Sequence, residues 1–392
     1  MDGNNSSWHR HEFQHKLIFS VLGFMLFITI FQIIGIEMFM KSRFPPNIEI
    51  YGIKKYSDEN VRRWFERDRG DSLPEIKSFE AILLKAGVEV TPEIRQKIPS
   101  VEKYTNIYGS KPIVQLDEGT CEKFKGKVKE GDRFIAPAGM FNTGTNLLED
   151  LLTENCEFKI SEATKSKTVF VLDRAVKAQV PWGKHSPVSW RFKHVAKRFQ
   201  GAIQENFFPV LMIKDPLTFM DSICRHRYEA FWREIPGHCP NLVTINEKER
   251  KMIWPRKSFN VSIAYSKKNH NYTHHKSLAH LYNDYYGEWL KADFPKAVIR
   301  FEDLIFHTEY VVEKVCLCAG GKMFDRPFQY IKSSAKTGLG HKGSNGFLDS
   351  VLKYGNVSRR SESFSKLDLD FAKATLYSDI LEAFNYTIPL DM

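Results

Sequence analysis

"GMFNTGTNLLEDLL", residues 139–152, decides how the rest of the chain reads. Gly139 and Gly144 stand at the G-x-x-x-x-G spacing of a phosphate-binding loop, and an amphipathic helical pattern begins directly after the second glycine. A triphosphate loop needs Lys and then Ser or Thr at that point; here Thr145 and Asn146 follow. The apolar run "RFIAPA" (133–138) ahead of the loop reads as a strand. Strand, glycine-bearing turn and helix start aim backbone N–H groups and the positive helix end at one point, which suits an anion. Thr143, Thr145 and Asn146 add side-chain donors. The missing Lys argues against ATP and leaves room for a single phosphate. A plain strand-to-helix turn without a ligand fits the same residues equally well.

Working outward, short apolar runs alternate with helical stretches from residue 131 onward. "TVFVLD" (168–173), "PVLMIKD" (209–215) and "KAVIRF" (296–301) read as further strands. Helices are expected over 145–153, from Pro216 to Arg233 with Asp215 as cap, over 275–293, over 308–321, and through "LDLDFAKATLYSDILEAF" near the end. The alternation predicts an α/β fold, a P-loop-like parallel sheet flanked by helices, with ligands at the carboxyl ends of the strands.

Ahead of this domain, residues 17–40 form one long apolar run, long enough to span a bilayer and without a convincing cleavage site. The expected layout is a tail at 1–16, a transmembrane signal anchor at 17–40, a Lys/Glu-rich stem with scattered prolines at 41–130, and a catalytic domain at 131–392. Helices are expected in the stem near Ser57 and over "SFEAILLKAG". Topology reads two ways. Arg10 and Lys16 before the run, against Lys41, Arg43, Lys54 and Lys55 after it, favour a cytosolic body. Four Asn-x-Ser/Thr sites at Asn260, Asn271, Asn356 and Asn385, with six cysteines and no C-x-x-C pair, favour a lumenal body. The second reading is preferred, and no zinc site is expected.

A net charge of +10 suits an anionic ligand, but there is no Lys/Arg block, zinc-finger spacing or RNA-binding signature, so nucleic acid is not expected. Three further stretches carry chemistry. In "IKDPLTFMDSICRHRY" (213–228), Lys214 ends a strand and Ser222 lies eight residues on, two turns into a helix, where both could share a phosphate. In "GKHSPV" (183–188), Lys184 and His185 form a pair suited to acid–base work. "GHKGSNGF" (340–347) is a basic, glycine-rich loop.

The order and spacing of these pieces resembles the sulfotransferases that use 3′-phosphoadenosine 5′-phosphosulfate, the membrane-anchored Golgi members in particular. "FNTGTNLL" is similar to the family's 5′-phosphosulfate loop, "KDPLTFMDS" to its 3′-phosphate motif, "KHSP" to its Thr-His-x-Pro segment, "VIRFEDL" to a recurring strand end, and "HKGSNGF" to the late nucleotide-closing loop. The resemblance covers roughly residues 131–347. It implies that Asn142, Thr143, Gly144, Thr145 and Asn146 hold the 5′ end, that Lys214, Ser222, Lys342 and Gly343 hold the 3′-phosphate, and that His185 is the base, with no metal. Asn142 stands where the family carries Lys or Arg; Lys184 is the candidate to supply that charge. Lys214 replaces an Arg and loses bidentate binding, and His341 replaces the first basic residue of the late loop. Asp173 is the alternative base. With the anchor, the resemblance implies a single-pass Golgi enzyme, its body lumenal, acting on a glycan, glycoprotein or small-molecule acceptor. A Golgi glycosyltransferase using Asp368-Leu369-Asp370, a P-loop kinase, and a non-catalytic nucleotide-binding membrane protein are the alternatives.

Overall fold

Ser78, Thr91 and Ser100 each accept a hydrogen bond from the backbone N–H three residues on, and each starts a helix: α1 (Phe79–Lys85), α2 (Pro92–Arg95) and α3 (Val101–Tyr108). The computed structural model describes residues 73–161, 175–232, 239, 242, 261–266, 271–333 and 346–389. The chain divides into two units, Met1–Tyr56 and Ser57–Met392, and every described residue belongs to the second. The apolar run at 17–40 and the helix expected near Ser57 lie outside the described residues. Among those described, no helix is long and apolar enough to cross a membrane.

Residues 73–130, expected as stem, are folded onto the body. Strand β1 (Val114–Leu116) joins the main sheet, and α4 (Thr120–Lys127) follows it. Phe79 and Tyr104 are fully buried and pack at 4.8 and 4.5 Å between ring centroids on Phe306. Burying each ring stabilises the fold by about 1.5–3 kcal/mol. Among the prolines that suggested a stem, Pro92 opens α2.

Beyond α4 come β2 (Phe134–Gly139), α5 (Thr145–Asn155), β3 (Cys156–Glu157), β4 (Phe207–Ile213), α6 (Pro216–Arg225), the hairpin sheet β5 (Ala230–Phe231), β6 (Val261–Ser266) and β7 (Asn271–His275), then α7 (Leu278–Lys291), β8 (Ala297–Arg300), α8 (Phe301–Phe306), α9 (Thr308–Cys318), β9 (Lys322–Met323), α10 (Phe347–Gly355), α11 (Lys366–Thr375) and α12 (Ser378–Ala383). Every residue of β2, β4 and β8 is buried, as expected for parallel strands covered on both faces. The sheet order is β1-β8-β4-β2, with β2, β4 and β8 parallel and β1 antiparallel at the edge. The protein is thus a mixed α/β fold with a largely parallel sheet flanked by helices. Gly139 pairs with Met212, and Ile213 with Arg300, so the carboxyl ends of the three parallel strands share one edge. A parallel bridge from Ile135 to Val176 extends pairing past β2; the strand expected at 168–173 lies outside the described residues.

Several boundaries differ from the sequence reading for tertiary reasons. The helix expected over 275–293 gives its first residue, His275, to β7, which pairs with β6, and starts only after Ser277 caps His280 N–H. The terminal helix breaks in two where Tyr377 N–H donates to Asn283 Oδ1 instead of continuing the helix. Three disulfides, Cys121–Cys318, Cys156–Cys316 and Cys224–Cys239, account for all six cysteines. The first two tie α4 and β3 to the end of α9.

Candidate functional site

The loop of residues 139–144 leaves β2 at the carboxyl edge of the sheet. Gly139 (φ 151°) and Gly144 (φ 84°) take conformations that disfavour a side chain. A Cβ at Gly144 would also lie 2.6 Å from the Phe301 ring, and one at Gly139 2.9 Å from the Met212 carbonyl oxygen. The glycines therefore let the loop pass flat over β4 and α8. Gly144 is the N-cap of α5, where no side chain caps the helix and no acidic residue occupies the first turn. The first N–H groups of a helix have no partner within it, so this end attracts an anion.

Asn142 and Thr143 are not aimed at such an anion. Asn142, at φ 64°, donates its amide to the carbonyls of Ser222 (3.3 Å) and His226 (2.9 Å). Those bonds close the carboxyl end of α6, which is why that helix stops at Arg225 and not at Arg233. Thr143, fully buried, donates its hydroxyl to Met140 O at 2.7 Å. Thr143, expected as a side-chain donor to the anion, and Asn142, expected within the 5′-end loop, both spend these side-chain bonds on building the loop. Thr145 is buried in the first turn of α5.

Lys184 and His185 come to the same place. The Gly139 N–H donates to Lys184 O, and Lys184 Nζ lies 2.7 Å from Asn146 Oδ1 and 3.4 Å from Glu149 Oε2. A cation thus sits at the first turns of α5. Residues 183–185 of the segment are half-buried and residues 186–188 buried. Burial lowers the Lys184 pKa, opposed by the Glu149 charge. His185 Nδ1 is 2.6 Å from Gly139 O. A carbonyl only accepts, so Nδ1 carries the proton and Nε2 is the basic nitrogen. Phe141 packs on the imidazole at 4.4 Å and stacks on Tyr228 at 5.6 Å between ring centroids.

Lys214 leaves the end of β4 fully buried. Its Nζ donates to Asn142 O (3.3 Å), Ser222 Oγ (3.1 Å) and Tyr354 OH (3.2 Å), and it lies over the rings of Phe301 and Tyr354 at 4.5 and 4.6 Å. Among the described residues, no carboxylate is within ion-pair distance of it. Burial pushes its ammonium well below the ordinary lysine range. Behind it, the Asp215 N–H donates to Glu302 Oε1, Tyr386 OH donates to Glu302 Oε2, and Arg360 pairs with Asp215 at 2.8 Å. Burial, then the Asp215 charge, raises the Glu302 carboxyl above its ordinary value. Arg300 and Asp303, from the same "VIRFEDL" stretch, form a buried bidentate pair at 2.6 and 2.7 Å that also fixes the Tyr108 and Phe384 carbonyls.

The structure therefore gathers Asn146, Lys184, His185, Lys214 and Ser222 around one loop, from three separate stretches. Lys342, Gly343 and Asp173 lie outside the described residues. Sequence reasoning missed Tyr354, whose only signal is its place on the apolar face of α10, and Glu302, a buried carboxyl inside a motif read only as a strand end. Asp368 is the third residue of a capping box with Ser365, and Asp370 faces Lys366 at 3.4 Å, so both act in the start of α11. Among the described residues, no group of three or more His, Cys, Asp or Glu could hold a metal ion.

No family model, curated protein or solved structure matches the chain. The functional reading rests on the residues and their geometry.

Proposed function

We propose that the chain is a sulfotransferase that moves a sulfuryl group from 3′-phosphoadenosine 5′-phosphosulfate to a hydroxyl or amine of a glycan, glycoprotein or small-molecule acceptor. One observation carries the reading. Lys214 Nζ bonds both the backbone of the glycine loop, at Asn142 O, and Ser222 Oγ. Two anion-binding stretches, 80 residues apart at Asn142 and Ser222, thereby meet at one strand edge, as a ligand with phosphates at both 5′ and 3′ positions requires.

In this account the N–H groups at the start of α5 hold the 5′ end, joined by Asn146 and Lys184. Lys184 supplies the cation that Asn142 does not. Lys214 and Ser222 hold the 3′-phosphate. His185, with Nδ1 fixed on Gly139 O, uses Nε2 to take the acceptor proton while charge builds on the leaving phosphate oxygen. The protein's work is positioning and charge stabilisation, with no metal assigned a role. Residues 17–40 would anchor the chain in the Golgi membrane as a single-pass type II protein. Three disulfides support a lumenal body, because such bonds persist in oxidising compartments. A second reading, a non-catalytic nucleotide-binding membrane protein, is favoured by the engagement of Asn142 with α6. Turnover separates the two: release of adenosine 3′,5′-bisphosphate from the sulfuryl donor supports transfer, and tight binding without release supports the second reading.

A further inference from the structure

The carboxyl half of α6 and the end of α10 line a small open cleft. Its lining includes Ser222, Arg225, Lys353, Tyr354, Asn356 and Arg359. Two cations already converge on one hydroxyl here: Lys214 Nζ is 3.1 Å and Arg225 Nη2 3.3 Å from Ser222 Oγ. Tyr354 stands between Lys214 and Lys353, whose ammonium groups lie 4.6 and 5.2 Å from its ring centroid. Arg225 is paired with Asp221, and Arg360, also in the lining, with Asp215. Among the described residues, Lys214, Lys353 and Arg359 have no carboxylate within ion-pair distance. Like charges gathered around a hydroxyl, a phenol and an amide, with one paired carboxylate in the wall, are the inverse image of a doubly charged tetrahedral oxyanion. Burial first, then the Arg225 and Lys214 charges, hold the Lys353 ammonium below its ordinary value, a repulsion that a bound anion relieves.

We propose that this cleft is a binding site for a phosphate- or sulfate-class dianion, held by Ser222, Arg225, Lys353 and Arg359. Lys353 and Arg359 lie beyond residue 347, outside the stretch that resembles a known family. The site stands on its own geometry; it shares Ser222 with the proposed nucleotide site and borders Lys214 of that site. Its anion comes either from the 3′ position of the nucleotide or from solution.

The test titrates the detergent-solubilised full chain with inorganic phosphate, inorganic sulfate, adenosine 3′,5′-bisphosphate and 5′-AMP, by calorimetry and thermal shift. Wild type is compared with Lys353→Gln, Arg359→Gln and the double variant, at a half-buried and an exposed position without a carboxylate partner among the described residues, and expected to melt close to wild type without ligand. Each lost cation should weaken the anion by roughly tenfold, and the double variant by about a hundredfold. Loss of phosphate and bisphosphate binding with 5′-AMP unchanged assigns the anion to the nucleotide. Loss of phosphate or sulfate binding alone assigns it to solution, and this outcome stands even where no nucleotide binds and the sulfotransferase reading fails. Identical affinities of wild type and double variant for every probe overturn the site. If Lys214→Met alone then abolishes bisphosphate binding, the nucleotide reading survives without the cleft.

Discussion

Replacing Lys214 by Met keeps the length of the side chain and its contact with Phe301 and Tyr354 while deleting the charge. In the ligand-free protein the change removes three hydrogen bonds, at 3.1, 3.2 and 3.3 Å, and the ammonium's electrostatic attraction to the two rings. Each such bond contributes about 0.5–1.5 kcal/mol net. Against that loss, the fully buried ammonium has no carboxylate partner among the described residues, and removing its desolvation penalty returns free energy of similar size. Stability should therefore change by only about 1 kcal/mol. Binding should not be so balanced. A 3′-phosphate that loses a charge-assisted contact loses about 1.5–3 kcal/mol, or roughly 10- to 150-fold in affinity, while 5′-AMP is unaffected. Proton linkage adds a second readout. Because the folded state lowers the Lys214 pKa, the unfolded chain binds more protons between that lowered value and the ordinary one. Wild-type stability should rise with pH across this window, and Lys214→Met should flatten the rise. Glu302, whose pKa is raised, acts with the opposite sign at lower pH, so alkaline data isolate the lysine. A bound phosphate raises the Lys214 pKa again, so bisphosphate affinity should fall with rising pH, by at most about tenfold per pH unit. Urea melts and calorimetry at several pH values measure all of this. Equal losses for both nucleotides, together with a destabilisation above about 3 kcal/mol, would show that Lys214 is structural and refute the reasoning.

Three further outcomes follow from the same geometry. His185→Ala should lower turnover by roughly two to four orders of magnitude with nucleotide affinity nearly unchanged; normal turnover there, with loss in Asp173→Asn, moves the base to Asp173. Asn142→Ala should destabilise the fold by about 2–4 kcal/mol, since it removes two hydrogen bonds and leaves Ala at φ 64°, whereas Asn142→Gly should cost about 1 kcal/mol less in a urea melt; equal melts would remove the backbone from the explanation. Expressed in a eukaryotic host, the chain should carry a glycan at exposed Asn385 and none at Asn356, whose Oδ1 accepts the Ser358 hydroxyl in the wall of the cleft; peptide mapping after glycosidase treatment reads both sites, and an unmodified Asn385 with a protease-sensitive body in intact vesicles contradicts the lumenal reading.

What was legible in the sequence was local. "RFIAPA" and "PVLMIKD" are continuous apolar runs, and β2 and β4 lie within one or two residues of them. Asp215 and Pro216 mark the start of α6 because cap and first turn are neighbours. The end of that helix was not legible, since the amide that closes it belongs to Asn142, 80 residues before Ser222. The same holds for β1, which is a strand only because β8 pairs with it, and for the disulfides, fixed by the approach of α9 to α4 and β3. Within the site, Lys214 lies just ahead of α6 and Ser222 within it, so the two could be linked from their spacing. Tyr354 could not, because no periodic signal says which residue of a distant helix will cover a buried ammonium.

The central claim is that one strand edge accepts phosphates at both the 5′ and 3′ positions of an adenosine. It is tested most directly by calorimetric titration of the purified full chain with adenosine 3′,5′-bisphosphate and, separately, with ADP, in the absence of divalent metal. The account predicts that the bisphosphate binds at least about tenfold more tightly, the difference vanishing in Lys214→Met. Equal affinities in wild type, or a preference for ADP, would contradict it.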